Sequence, residues 1–248
     1  MGASMHDTLV VIPAYGLQAM THQCIGFLVE EPVDLLVIDN KGDYVPTSRE
    51  SVLRPGHNTG WLGACNLGLT QAFEQGAYRH AVLLNNDVLL SQGFTEGLSQ
   101  VAREVEGAGL VGPMANVMVP SGQKLFLDSP RDFTPEPTHF ETLFLHGCCL
   151  LVTRALHQRI GGLDPAYQPF GWGADVDYAY CARTAGFKVV VSKRSYLTHL
   201  YERTVLDMGV SSTDYRTQAK HHARDVFRKK YGMEWPTTLG WKFGLAEP

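Results

Sequence analysis

The residues best placed to do chemistry lie in Leu83-Leu84-Asn85-Asn86-Asp87-Val88-Leu89-Leu90, where an apolar run breaks into two amides and a carboxylate. One carboxylate beside amide oxygens suits a hard divalent cation that takes its remaining ligands from water and phosphate. Asn and Asp also end strands as plain turn residues, so the triplet needs support from elsewhere. A second informative stretch is Phe170-Gly171-Trp172-Gly173-Ala174-Asp175-Val176-Asp177. Asp175 stands where a helix should begin, either as an N-cap or as a proton acceptor. Trp172, flanked by glycines, offers an aromatic face to the C–H surface of a sugar, or else packs in its loop. His199 follows an apolar strand and by itself reads as structural. The adjacent His221 and His222 cannot share a helix face as metal ligands would.

These residues need elements to hold them. Ala81-Val82-Leu83-Leu84 is apolar on both faces, the pattern of a strand inside a sheet. Thr8–Ile12 reads as a strand stopped at Pro13-Ala14-Tyr15-Gly16, a helix follows over about 17–29, and Val33–Ile38 is a second strand ending at Asp39. Strand, helix and strand in about thirty residues make a βαβ unit with parallel strands. Their polar ends share the edge that carries Asn85-Asn86-Asp87, the edge where open α/β sheets bind ligands. Ser51–Arg54 is a further strand, and Asn58-Thr59-Gly60-Trp61-Leu62-Gly63 opens a helix to about Gln75. Glycines at that junction let a ligand approach backbone N–H groups, although the pattern is neither a dinucleotide fingerprint nor a P-loop.

Further on, Ser91 should cap a helix to about Glu106, and Gly109–Gly112 begins another strand. Five of the thirteen prolines fall between Pro113 and Pro137, which predicts hairpins and irregular loops. Thr142–Val152 reads as one strand with a Gly-Cys-Cys centre, Phe187–Val191 as another, and Thr213 or Asp214 starts a last helix through about Lys230.

Composition narrows the class. The chain has 248 residues, 44% hydrophobic and 19% charged, which is globular rather than disordered. A net charge of −4 and a pI near 6.2 give no nucleic-acid footprint, so no nucleic-acid partner is expected. The five cysteines form no CxxC motif and are odd in number, which fits a reducing cytoplasm. No apolar run reaches spanning length, and no secretory signal is expected. Met1-Gly2-Ala3-Ser4 ahead of Met5 reads as a cloning remnant.

The order of the motifs is more specific than any one of them. Val-Ile-Pro-Ala-Tyr, Val37-Ile38-Asp39-Asn40, Asn58–Asn66, Leu84-Asn85-Asn86-Asp87, Gly161-Gly162-Leu163-Asp164, Ala174-Asp175-Val176-Asp177 with Arg183–Phe187, and a late His199 follow one another. In that order, over residues 8 to 232, the sequence resembles glycosyltransferase family 2, of GT-A fold, and within it the rhamnosyltransferase-like branch. The resemblance implies an α/β GT-A fold, with a Rossmann-like, mostly parallel sheet, flanking helices and a small antiparallel extension. It implies one domain over 5–248, comprising a nucleotide-sugar half (5–112), an acceptor and catalytic half (113–212), and a C-terminal helix and tail (213–248).

By the same resemblance, Pro13, Ala14, Tyr15, Asp39, Asn58, Gly60, Asn85 and Asn86 line the donor nucleotide, with Asp39 reading the base. Asp87 and His199 hold Mn2+ or Mg2+, and Asp175 is the catalytic base, with Asp177 as its rival. On the residues themselves, Trp172, as a sugar-stacking face, and Asp177 are the acceptor-side candidates. Two departures stand out: Asn85 replaces the first carboxylate of the family's DxD motif, and Ala174 replaces the Glu of its Glu-Asp pair. The implied activity is inverting, metal-dependent transfer from a UDP- or dTDP-linked sugar to a hydroxyl of a glycan, lipid-linked, small-molecule or protein acceptor. The implied location is the cytoplasm, with or without peripheral membrane attachment. Arg203 is a candidate phosphate contact or a solvated side chain. The rival readings are a sugar-1-phosphate nucleotidyltransferase, disfavoured by the absence of a basic residue in Pro13–Leu17, and a non-catalytic nucleotide-sugar or carbohydrate binder, made thinkable by Ala174.

Overall fold

The computed structural model describes residues 6–117, 121–200 and 212–232. Its strands are β1 (Thr8–Ala14), β2 (Asp34–Asp39), β3 (Ser51–Leu53), β4 (His80–Leu84), β5 (Val88–Leu90), β6 (Ala108–Ala115), β7 (His139–Glu141), β8 (Cys149–Thr153) and β9 (Lys188–His199). Its helices are α1 (Gln18–Gly26), α2 (Gly60–Thr70), α3 (Phe94–Glu104), α4 (Arg154–Ile160), α5 (Ala174–Thr184) and α6 (Ser212–Tyr231). The strands form one sheet in the order β3-β2-β1-β4-β8-β6-β9-β5, with β7 also on β9. β1, β2, β3, β4, β6 and β9 run one way, and β5, β7 and β8 run against them. The mostly parallel α/β sheet expected from the sequence is present, with antiparallel β5 and β7 extending it.

Strand alternation divides the core between the two faces of the sheet. Leu9, Val11, Leu36, Ile38, Ala81 and Leu83 pack with Leu62, Cys65 and Leu69 of α2 and with α5. Val10, Ile12, Leu35, Val37, Val82 and Leu84 pack with Cys24 and Ile25 of α1 and Phe94 and Leu98 of α3. Helices therefore cover both faces, and β4 is buried along its whole length, as its unbroken apolar run requires. The proposed division at 112/113 falls inside β6, and β8 of the later half lies between β4 and β6. The two halves thus share one sheet.

Three local expectations are corrected. Ser91 does not cap α3, because its hydroxyl accepts from the Tyr196 N–H at 3.0 Å. The helix start is held instead by Glu31, whose carboxylate accepts from the N–H groups of Phe94 at 2.8 Å and Thr95 at 2.7 Å. An anion there answers the positive end of the helix dipole. The strand expected over Thr142–Val152 is β8 alone, because Gly147 and Cys148 turn the chain before pairing begins. Finally, Asp175 is not a classical cap: Gly173, in the left-handed region at φ 83°, precedes α5.

Candidate functional site

The strand directions bring distant residues together. The carboxyl ends of β1, β2, β4, β6 and β9 open onto one edge, and the antiparallel β8 delivers its amino end to the same edge. Ala14, Asp39, Asn85–Asp87, Asn116, His146–Cys148 and His199 are thereby gathered, with α5 bringing Asp175.

His199 lies at the centre. Its Nε2 is 3.2 Å from Asp87 Oδ1 and 3.2 Å from Asn85 Nδ2. Trp61, in the first turn of α2, donates its indole N–H to Asn85 Oδ1 at 2.8 Å. Indole nitrogen is only a donor, so it orients the Asn85 amide with the NH2 group toward His199. The His199 backbone is clamped by Asn116, whose Oδ1 accepts from the His199 N–H at 2.7 Å and whose Nδ2 donates to the His199 carbonyl at 3.1 Å. Asp87 and His199 are both buried. A carboxylate oxygen and an imidazole nitrogen held this close are stabilised by a proton or by a cation between them. The pair therefore fits a divalent ion.

Asp175 stands beside this group. Gly147 N–H donates to its Oδ2 at 2.8 Å and Val176 N–H to its Oδ1 at 2.9 Å. A Cβ on Gly147 would lie 3.1 Å from Asp175 Oδ2 and 3.3 Å from the Trp61 ring, so the backbone approach depends on glycine. Burial raises the Asp175 pKa from 3.8 to about 6, against the opposing pull of the N–H groups. His146 shows the same desolvation in a base: burial lowers it to about 3.

The donor-side expectations land near one another, in differing roles. Pro13 and Ala14 are buried at the end of β1, Tyr15 is half-buried, and the Ala14 carbonyl accepts from the Asn40 N–H at 2.9 Å. Asp39 is buried with both oxygens engaged: Gly42 N–H at 2.7 Å on Oδ1, and Tyr44 N–H at 3.0 Å and Arg54 Nε at 3.1 Å on Oδ2. In this structure its carboxylate organises the loop after β2. Asn58 Oδ1 accepts from Gly60 N–H at 2.9 Å, and Gly60, at φ 67°, opens α2. Asn40 joins the two loops, its Oδ1 accepting from Thr59 Oγ1 at 2.8 Å and Thr59 N–H at 3.0 Å. Asn86 instead donates to Thr21 Oγ1 of α1 at 3.0 Å.

Of the acceptor-side residues, Trp172 is half-buried against the core beside α5. Asp177 points elsewhere. It is buried and accepts from Tyr231 at 2.6 Å, Lys230 at 2.9 Å and Tyr167 at 3.2 Å. Those partners make it an anchor for α6, separate from the strand-end cluster, because residues two apart on a helix face different ways. His222 contacts the Ala166 carbonyl at 3.1 Å, an ordinary surface role. Arg203 lies outside the described residues.

Sequence reasoning assigned no role to Trp61, Asn40, Asn116, His146, Gly147 or Cys148. Trp61 stands inside the glycine-rich motif, which was a usable signal. His146 and Cys148 were hidden by the assumption of a continuous strand. All five cysteines are free thiols, and among the described residues no helix is long and apolar enough to cross a membrane.

No family model matches the sequence. The fold is similar to that of GalNAc-T7, solved with UDP, GalNAc and Mn2+, with a TM-score of 0.62 and 13% identity over 97% of this chain. The chain spans 57% of that protein. It is also similar to the mannosyltransferase PcManGT of Pyrobaculum calidifontis, solved with GDP-Man and Mn2+, with a TM-score of 0.57, 13% identity and 96% of this chain covered, against 69% of the other. These likenesses establish a GT-A-like fold. In sequence, the chain is 31% identical over 241 residues to the uncharacterized protein Rv1525 of Mycobacterium tuberculosis and, equally, to Mb1552 of Mycobacterium bovis. That match covers 97% of this chain and 90% of either relative, and the chain belongs to the family of these mycobacterial proteins.

Proposed function

We propose that the chain is an inverting, metal-dependent glycosyltransferase that moves a sugar from a nucleoside-diphosphate sugar to an acceptor hydroxyl. The observation that carries this reading is a desolvated Asp175, held by the Gly147 N–H, at the sheet edge that also carries the Asp87–His199 pair. That fold neighbours were solved with UDP or GDP-Man and Mn2+ supports the same substrate class. The donor in this reading is UDP- or dTDP-linked, and the resemblance to the rhamnosyltransferase-like branch of family 2 leans toward dTDP.

Asp87 and His199 would hold a divalent ion, which would supply positive charge to a departing diphosphate. The chain's own residues do the rest. Trp61 and Asn85 orient the His199 ring, and Asn116 fixes its backbone. The N–H groups of Gly147 and Val176 hold the Asp175 carboxylate, which removes the acceptor proton as the hydroxyl attacks. A pKa of about 6 leaves Asp175 ionised near neutrality yet more basic than an ordinary aspartate. A single base opposite the leaving group inverts the anomeric centre. The half-buried Trp172 stacks on the acceptor sugar, and the cytoplasm is the compartment that fits five free thiols.

The test is thermal shift with a panel of nucleoside diphosphates, with and without Mn2+, followed by assay of the matching sugar donors for diphosphate release. A Mn2+-dependent rise in Tm, lost in Asp87→Ala, together with turnover lost in Asp175→Asn, is expected. No shift with any diphosphate and no release from any donor would refute the proposal.

A further inference from the structure

His199 has a second set of neighbours besides Asp87. His146, Cys148 and His199 each present a ligand atom within 4.8 Å of the other two. The two imidazole rings meet edge to face with centroids 5.6 Å apart. His146 and Cys148 flank Gly147 in the turn that enters β8, whereas His199 ends β9, so the group exists only because both strand ends reach the same edge. Its backbone is tied down: Cys148 N–H donates to His146 Nδ1 at 3.2 Å, and the Cys148 carbonyl accepts from the Asn85 N–H at 3.0 Å. Cys148 is buried, and its thiol faces imidazoles rather than an apolar wall alone.

We propose that His146, Cys148 and His199 form a nitrogen–sulfur metal site selective for Zn2+ or Co2+ over Mn2+ and Mg2+. Two imidazoles and a thiolate are a borderline-soft donor set, and Mn2+ stands lowest in the divalent affinity order for such ligands. Three protein ligands leave a coordination position open, as in zinc sites that also receive a water or a substrate oxygen. Tetrahedral bonds of about 2.0–2.3 Å place ligand atoms about 3.5 Å apart, so modest side-chain rotations close the set around an ion. On binding, the Cys148 S–H bond is replaced by a sulfur–metal bond and the proton leaves to solvent. His199 belongs to both sets, so an ion held by His146 and Cys148 draws on a residue that the transferase reading also uses. The inference goes beyond that reading, and the binding itself does not rest on it.

The experiment strips the protein of metal and titrates it with Co2+ alone, without nucleotide. A sulfur-to-cobalt charge-transfer band in the near ultraviolet and strong tetrahedral visible bands are expected. Zn2+ should bleach both, and Mn2+ at the same concentration should bleach neither. Cys148→Ser, checked for fold by circular dichroism, should lose the sulfur band. An arm that needs no variant compares Tm of the wild type with Zn2+ and with Mn2+, and the larger rise should come with Zn2+. A weak octahedral spectrum without a sulfur band, a band unchanged in Cys148→Ser, or a larger rise with Mn2+ would overturn the proposal. Such a failure leaves diphosphate binding untouched, and an unresponsive diphosphate panel leaves the cobalt spectrum untouched, so the two readings fail separately.

Discussion

Asp175→Asn should alter the pH dependence of stability as well as turnover. The Asp175 carboxyl has a folded pKa of about 6 against an ordinary 3.8, chiefly because burial disfavours its charge. Its favourable contribution is therefore complete at low pH, where it is neutral in both states, and is lost as pH rises through about 6. Integrating that shift at ~1.4 kcal/mol per pH unit gives a loss of roughly 2 kcal/mol between about pH 4.5 and about pH 7.5. In a chain of this size that corresponds to a fall in Tm of about 4–8 °C relative to the variant. Asn cannot accept from both Gly147 and Val176 N–H groups, which adds a destabilisation independent of pH. The informative quantity is thus the change in the difference between the two proteins, not its absolute value. Urea unfolding of both, in EDTA across that range, measures it directly. Curves that stay parallel to within about 0.5 kcal/mol would show that the carboxylate is not desolvated, and the assignment of Asp175 as a tuned base would fall with it.

Trp61→Phe keeps the ring but removes the N–H that orients Asn85, and metal affinity should fall about 10–100-fold by calorimetry with little change in Tm. Gly147→Ala pushes a methyl to 3.1 Å from Asp175 Oδ2, so donor turnover should drop about tenfold or more while circular dichroism stays unchanged. Asp177→Asn weakens the anchor to Lys230 and Tyr231, which should cost about 1–3 kcal/mol in urea unfolding and leave the Mn2+-dependent nucleotide response intact.

The elements most legible in the sequence were those whose pattern is local. Ala81–Leu84 is apolar on both faces because β4 has a strand on each side and helices above and below, and the polar residues after it fall at the ligand edge. Gly60 and Asn58 mark the start of α2 for the same reason: a left-handed turn and its bonded amide are local chemistry. What was not legible depends on partners far along the chain. Ser91 resembles a cap, but Glu31, 63 residues before Phe94, holds that helix start. Asp177 resembles a second acid beside Asp175, yet its partners Lys230 and Tyr231 are 53 and 54 residues away. The apolar run through Cys148 concealed a turn, because periodicity cannot separate a strand from a buried loop, and His146 and Cys148 were hidden with it.

The antiparallel insertion of β8 between β4 and β6 also bears on how the protein folds. β1, β2 and β4 can pair through βαβ crossovers as the chain emerges, but β6 has no place beside β4 until the later β8 arrives. β9 then pairs with β5, β6 and β7, spanning more than 100 residues between Leu90 and Leu197 at its far pairing. Such non-local closure is slow, and it leaves the flanks of β4 and β6 unprotected until late in folding. Because Asp87 and His199 become neighbours only at that last step, Mn2+-dependent nucleotide binding should appear with the final kinetic phase of refolding, after most helix has formed.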